Sequence, residues 1–254
     1  MVASILETLY TREMISPRER LIVALDVSSE ADAQKILDAL GDRVSTYKVG
    51  MQLFTALGPR FIRDMVSSGR QVFLDLKYHD IPNTVAAAAR DAARLGVSMF
   101  TVHASGGGKM LRAAADAARE VNPAIKVLAV TVLTSMAEQD LAEVGVENKL
   151  LDQVLRLSEI ALNSGCGGVV SSARESSQLR SKLGVDFLIV TPGVRPTGAD
   201  HGDQARVVTP AQAIAAGASH IVVGRPITAA PDPAAAAKSI LDQLAAVATG
   251  SKSA

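Results

Sequence analysis

Short apolar runs recur along this 254-residue chain with a regularity that leaves few architectures open. They begin near Leu21 (LIVALDV), Ser45 (STYKVG), Gln71 (QVFLDLK), Ser98 (SMFTVH), Lys126 (KVLAVTVL), Gly167 (GGVVSS), Phe187 (FLIVT) and Ser219 (SHIVVG). Their starts lie about 28 residues apart on average, and one strand plus its returning helix needs roughly 30. The runs are apolar at successive positions rather than alternating, as strands covered on both faces require. Between them lie Ala-rich amphipathic stretches with helix boundaries of their own. Ser28-Ser29-Glu30 precedes ADAQKILDAL and Gly41, Pro82 precedes NTVAAAARDAARL and Gly96, and Asp232-Pro233 opens the last stretch. Serine caps a helix start, proline suits its first turn, and glycine ends it. Eight such units predict an α/β fold, a single (β/α)8 TIM barrel; an open doubly wound sheet is the alternative built from the same units.

No Pro/Ser-rich linker divides the chain, so residues 1–254 are expected to form one domain. Residues 1–20 would be an N-terminal helix or arm and 250–254 a frayed tail. The segment 136–151 extends the fifth unit, and the Gly- and Pro-rich segment 192–208 is a long loop after the seventh strand, a place where lids are found. Lys plus Arg and Asp plus Glu are both 26, so the basic surplus that a nucleic-acid partner would call for is missing. No apolar run approaches the roughly 18 residues of a membrane span. Glu7, Arg12, Glu13 and Arg18-Glu19-Arg20 occupy the region where an export signal would keep an uncharged core, and Cys166 has no internal partner for a disulfide. A cytoplasmic location is expected.

In a barrel, chemistry gathers at the C-terminal ends of the strands. The third strand ends in Asp75-Leu76-Lys77-Tyr78-His79-Asp80. Strand periodicity puts Asp75 and Lys77 on one face, and Asp80 follows closely. Asp26 ends strand one and Lys48 lies near the end of strand two, so two lysines and three carboxylates converge on one mouth. A lone Asp-x-Lys reads most simply as a structural ion pair; a network of this size is costly to assemble without a use. Opposite it, strand seven runs into Thr191-Pro192-Gly193-Val194-Arg195 and strand eight into Gly224-Arg225. The loops after strands seven and eight are where barrels grip phosphate. Glycines there admit backbone N–H groups, and arginine offers a planar fork to the oxygens. His103, before Ser105-Gly106-Gly107-Gly108, reads either as part of a further anion loop or as a strand-to-helix turn. The histidines and Cys166 lack the spacing of a zinc site, and neither a nucleophile elbow nor a Walker loop is present.

DLKYHDIPNTV resembles the Asp-x-Lys-x-x-Asp signature of orotidine 5′-phosphate decarboxylases. ALDV, YKVGMQLF, VHASGG, TVLTS, TPGVRP, DQARVVTP and VVGRPIT occur in that family's order across residues 20–240. The resemblance implies a homodimeric barrel that converts orotidine 5′-phosphate to UMP and CO2 without metal or organic cofactor. It implies Lys77 as proton donor to pyrimidine C6 and Asp75 beside the departing carboxylate. Lys48 and Asp80 would complete the alternating charges, with Asp80, Ile81 and Thr84 contributed across the dimer interface. Asp26 and Lys48 would hold ribose hydroxyls, Ser135 would read the pyrimidine edge, and Thr134 would line the site. Gln204, Gly224 and Arg225 would bind phosphate, with Arg195 at the base of the closing loop. An ammonium suits the lysine role, since it both stabilises a carbanion and delivers a proton, which a guanidinium holds too tightly.

Two other readings use the same residues. A magnesium-dependent sugar-phosphate decarboxylase or hexulose-phosphate synthase shares the barrel and the signature but has an acidic residue where Lys48 stands, and a cation there repels magnesium. A noncatalytic phosphate-binding barrel would keep Gln204 and Arg225 but has no need of Lys77 between carboxylates.

Overall fold

The computed structural model describes residues 15–196 and 208–250. Eight parallel strands close into a barrel in sequence order: β1 (Leu21–Ala24), β2 (Thr46–Gly50), β3 (Gln71–Tyr78), β4 (Met99–His103), β5 (Lys126–Val130), β6 (Gly168–Val170), β7 (Leu188–Thr191) and β8 (His220–Val223), with β8 pairing back onto β1. Closure decides against the open sheet. A one-turn helix, α1 (Pro17–Arg20), precedes β1, and α2 (Glu30–Leu40), α3 (Met51–Ser67), α4 (Pro82–Arg94) and α5 (Gly107–Val121) follow the first four strands. The fifth unit carries both α6 (Glu138–Glu143) and α7 (Leu150–Asn163), and α8 (Ala173–Leu183) follows β6. Between β7 and β8 the described residues hold the six-residue α9 (Pro210–Ala215), and β8 leads into a short α10 (Arg225–Thr228) and then α11 (Pro233–Gly250).

The helix boundaries follow from the residues named above. Ser29 Oγ accepts from the Asp32 N–H at 3.1 Å, and Gly41 ends the helix at φ +50°. Pro82 is the first residue of α4, and Asp232 Oδ1 accepts from the Ala235 N–H at 3.0 Å at the start of α11. No described helix is long and apolar enough to cross a membrane.

Side-chain alternation sorts the strands into two cores. Leu21, Val23, Tyr47, Val49, Phe100, Val102, Ile221 and Val223 face outward and bury against the helices. Ile22, Ala24, Phe73, Met99, Leu128, Val190 and Val222 face inward and fill the barrel as a separate cluster. Each large apolar side chain withdrawn from water contributes about 1.5–3 kcal/mol, so the plugged interior is a stable floor on which polar groups at the C-terminal mouth stand.

At the opposite end, His220 has the inward parity of Val222 and is buried, with no hydrogen-bond partner for its Nδ1 among the described residues. Burial, with the nearby Arg20 guanidinium adding to it and Glu19 opposing, pushes the imidazole down to about 4. The unfolded chain therefore takes up this proton first, so stability falls as pH drops from about 6.5 toward 4 and is unaffected by this group above that window. Denaturant unfolding at pH 7 and pH 5 should show His220 costing about 2 kcal/mol at the lower pH. His220→Leu should remove that part of the pH dependence; parallel losses in the two proteins would rule out this origin.

Candidate active site

Four charged side chains, from β2, β3 and the segment just after β1, meet at the C-terminal mouth. Lys48 Nζ lies 2.8 Å from Asp26 Oδ1 and 3.9 Å from Asp75 Oδ2. Lys77 Nζ lies 3.0 Å from each oxygen of Asp75. The order Asp26, Lys48, Asp75, Lys77 thus alternates in sign, and no charge in it stands beside its like. Lys48 and Asp75 are largely shielded from solvent, Lys77 less so, and Asp26 is more than half exposed. The array opens from the barrel interior toward water.

Local backbone explains how one strand offers both Asp75 and Lys77. Leu74 pairs with Phe100, but the next partner of β4, Val102, pairs with Tyr78 rather than Leu76. Two additional residues are therefore accommodated on β3, and Lys77 sits at φ +51°, the one non-glycine with positive φ among the described residues. That conformation costs about 1–2 kcal/mol for a residue with a Cβ, and strain of this kind persists only where the surroundings hold it. Strand periodicity correctly puts both side chains on the inner side; the bulge that sets their separation involves residues of β4 far away in sequence.

These charges form one wall of a cavity of about 460 Å³. Phe73, Val130, Val170 and Val222 floor it, Val132, Leu133 and Thr134 come from beyond β5, and Pro192, Gly193, Arg195, Gly224 and Arg225 close the far side. Acidic and basic groups meet on the first wall, and two arginines with two glycines stand on the other. A Cβ on Gly224 would stand 3.6 Å from the Ala24 Cβ and 3.7 Å from Asp26 Oδ2. Arg195 is buried, its backbone N–H donates to the Val208 carbonyl at 3.0 Å, and Val194 bridges Val208. The two ends of the long loop are thereby tied together beside the cavity.

The sequence-predicted residues do not all meet there. Asp26, Lys48, Asp75, Lys77, Thr134, Arg195, Gly224 and Arg225 line the cavity. Ser135 is exposed and outside the lining, so its neighbour Thr134 is the one turned to the cavity. Asp80, Ile81 and Thr84 are also exposed and outside it; the Asp80 carboxylate accepts from the Ile81 N–H and makes no ion pair with Lys77 of its own chain. Among the described residues of one chain, Asp75 is the carboxylate that pairs with Lys77. Gln204 lies outside the described residues. His103 packs beside the array rather than in it: its Nδ1 is 2.7 Å from Ser105 Oγ and its ring stacks on His79 at 5.4 Å. Burial lowers its affinity for a proton, and His79 and Lys77 nearby add to that effect.

Two residues of the site went unread in the sequence. A Cβ on Gly50 would stand 3.0 Å from Lys48 Nζ, so this glycine makes room for the ammonium. Thr101, fully buried, accepts from the Lys77 N–H at 2.8 Å and donates to Asp75 Oδ1 at 2.9 Å. Its signal was a lone hydroxyl within MFTVH at inward parity.

The same residues place the chain among known proteins. The family profile described as Orotidine 5'-phosphate decarboxylase / HUMPS family matches residues 19–240. A relative from Moorella thermoacetica named orotidine 5'-phosphate decarboxylase is 50% identical over 244 residues, 93% of this chain and 97% of its own. One of the same name from Geobacter sulfurreducens is 51% identical over 232 residues, 90% of this chain and 97% of its own. The crystal structure of orotidine 5'-phosphate decarboxylase from Lactobacillus acidophilus matches with a TM-score of 0.80 at 43% identity, covering 88% of this chain and 98% of that one. With half of the residues shared across nearly its whole length and the charged mouth built as described, the chain belongs to the orotidine 5'-phosphate decarboxylase / HUMPS family.

Proposed function

We propose that the chain decarboxylates orotidine 5′-phosphate to UMP and CO2 in pyrimidine biosynthesis, using its own side chains and no cofactor. The observation that carries this reading is the alternating array of Asp26, Lys48, Asp75 and Lys77, facing Arg225 and Gly224 across one cavity. Loss of CO2 breaks the C6–carboxyl bond and leaves its electron pair on C6, where ring resonance stabilises it poorly. The Lys77 ammonium supplies fixed positive charge there and then delivers a proton to C6, and the resulting amine takes its next proton from water. Asp75 sits beside the carboxylate that departs and holds Lys77 in place. Asp26 and Lys48 bind the ribose hydroxyls. Thr134 lines the base site and Ser135, on the adjacent exposed turn, reads the pyrimidine edge when the mouth closes. Arg225, Gly224 and Gln204 grip the phosphate, with Arg195 anchoring the base of the loop.

Phosphate binding lies remote from C6, so its free energy can close the 192–208 loop over the base and exclude water. A homodimer completes the site in this reading: Asp80, Ile81 and Thr84, exposed on one chain, are contributed to the partner's cavity. The exposure of Ile81, at 66%, supports an apolar surface that another chain covers. The reaction belongs to cytoplasmic metabolism.

The magnesium-dependent reading needs carboxylate oxygens gathered on a divalent ion. Here the Asp26 and Asp75 oxygens are countered by ammonium groups, and a metal would have to displace Lys48. The purified protein is therefore expected to turn over orotidine 5′-phosphate at full rate in chelator-containing buffer, followed as loss of the substrate's ultraviolet absorbance. Activity that vanishes with EDTA and returns with magnesium would transfer the assignment to the metal-dependent branch.

A further inference from the structure

The bulge in β3 leaves a backbone donor without its ladder partner. Leu74 and Tyr78 keep their places opposite Phe100 and Val102, while Asp75, Leu76 and Lys77 loop between them. The Lys77 N–H, turned inward by its left-handed conformation, is satisfied by the Thr101 hydroxyl at 2.8 Å rather than by a carbonyl. The same hydroxyl donates its proton to Asp75 Oδ1 at 2.9 Å, so both its donor and one of its acceptor sites are in use. Thr101 is inaccessible to solvent, so its hydroxyl is held by these two bonds and not by water. Its branched Cβ restricts χ1, which limits where the hydroxyl can point. Leu76 packs on the outer core and the rings of Tyr78 and Phe100 lie 5.9 Å apart, so the bulge is pinned from outside as well.

We infer that Thr101 is a positioning residue for this reaction: one hydroxyl holds the Lys77 backbone in its strained conformation and aims the Asp75 carboxylate between the two ammonium groups. The inference rests on the reading that Lys77 and Asp75 face the reacting carbon. Without the hydroxyl, Lys77 regains extended backbone or leaves a buried N–H unpaired, and in either case Nζ and the carboxylate lose their mutual alignment. Displacements of an ångström in such groups cost orders of magnitude in rate. Substrate affinity, which depends chiefly on the opposite, phosphate-binding wall, changes little.

Thr101→Val keeps shape and removes the hydroxyl, whereas Thr101→Ser keeps the hydroxyl and removes the methyl. Thr101→Val is expected to lower kcat about 10- to 100-fold with KM changed less than about threefold, while Thr101→Ser stays within about fivefold of the parent. Amide hydrogen exchange at residue 77, read by NMR, should quicken at least about tenfold in Thr101→Val and remain slow in Thr101→Ser. Should Thr101→Val fold poorly, Thr101→Ala provides the same loss of hydroxyl with less crowding. A merely structural threonine would lower Tm in both variants and leave kcat per folded molecule intact, which overturns the inference. So would equal kcat losses in the Val and Ser variants. The exchange measurement does not depend on turnover: a parent protein inactive on orotidine 5′-phosphate with residue 77 protected only where a hydroxyl is present would refute the proposed function and retain the clamp.

Discussion

Lys77→Ala protein is expected to lose at least about 10⁴-fold in kcat for orotidine 5′-phosphate while binding UMP within a few-fold of the parent. Two contributions vanish together. Fixed positive charge beside developing negative charge is the larger, because the ammonium is held at 3.0 Å from both Asp75 oxygens and needs no reorganisation when the bond breaks. Proton delivery to C6 is the other, and a water molecule with no fixed position replaces it badly. UMP has no carboxylate and makes no carbanion, so its affinity reports the phosphate and ribose contacts that the substitution leaves in place. Removal of an ammonium also leaves Asp75 facing Lys48 alone, at 3.9 Å, and stability should be measured beside the rate. A variant that kept more than a hundredth of the rate would show that another group donates the proton.

The same variant tests the shared site. Asp80 is exposed and makes no ion pair with Lys77 of its own chain, so its assigned role needs a second chain. Asp80→Asn and Lys77→Ala proteins are each expected to be nearly inactive alone. After subunit exchange, half of the dimers would be mixed and each would hold one intact site, returning about a quarter of parent activity. Exchange demonstrated without rescue would exclude a site built from two chains.

Arg225→Ala should raise Kd for UMP about 100-fold and leave binding of uridine unchanged. Arg225 opens the short helix after β8 and lines the cavity wall that also holds Gly224 and Gly193. Charge-assisted, forked hydrogen bonds to a phosphate contribute about 1.5–3 kcal/mol each, which corresponds to the expected loss for one guanidinium. If phosphate binding energy is used in the chemical step, as proposed above, kcat/KM for the whole substrate should fall further than ground-state affinity does. Equal losses for nucleotide and nucleoside would place the arginine's effect in the fold of the loop rather than on the phosphate.

Asp75 and Lys77 were found because a strand has period two and the run QVFLDLK changes from apolar to charged within it. Lys48 and Asp26 were found because both end strands already placed in register by spacing. Gly50 carried no such mark: that a Cβ would press on Lys48 Nζ depends on how the ammonium folds back over β2. Ser135 and Thr134 are adjacent in sequence, and only the course of the turn after β5 turns Thr134 inward and leaves Ser135 in solvent. His103 looked able to belong to an anion loop; its stacking on His79 and contact with Ser105 put it beside the charges instead.

The periodic runs and their capping residues were enough by themselves to specify eight βα units, because helix and strand periods are local properties of the chain; that the sheet closes into a barrel was decided only by β8 pairing back onto β1. The two-residue excess in β3, the left-handed Lys77 and the Thr101 hydroxyl that closes on both Lys77 and Asp75 were decided only when β4 came to lie against β3. A strain at one residue held by the hydrogen bond it donates to another 24 positions away has no local signature. It exists as an interaction between strands, and packing alone determines which of the available backbone conformations survives.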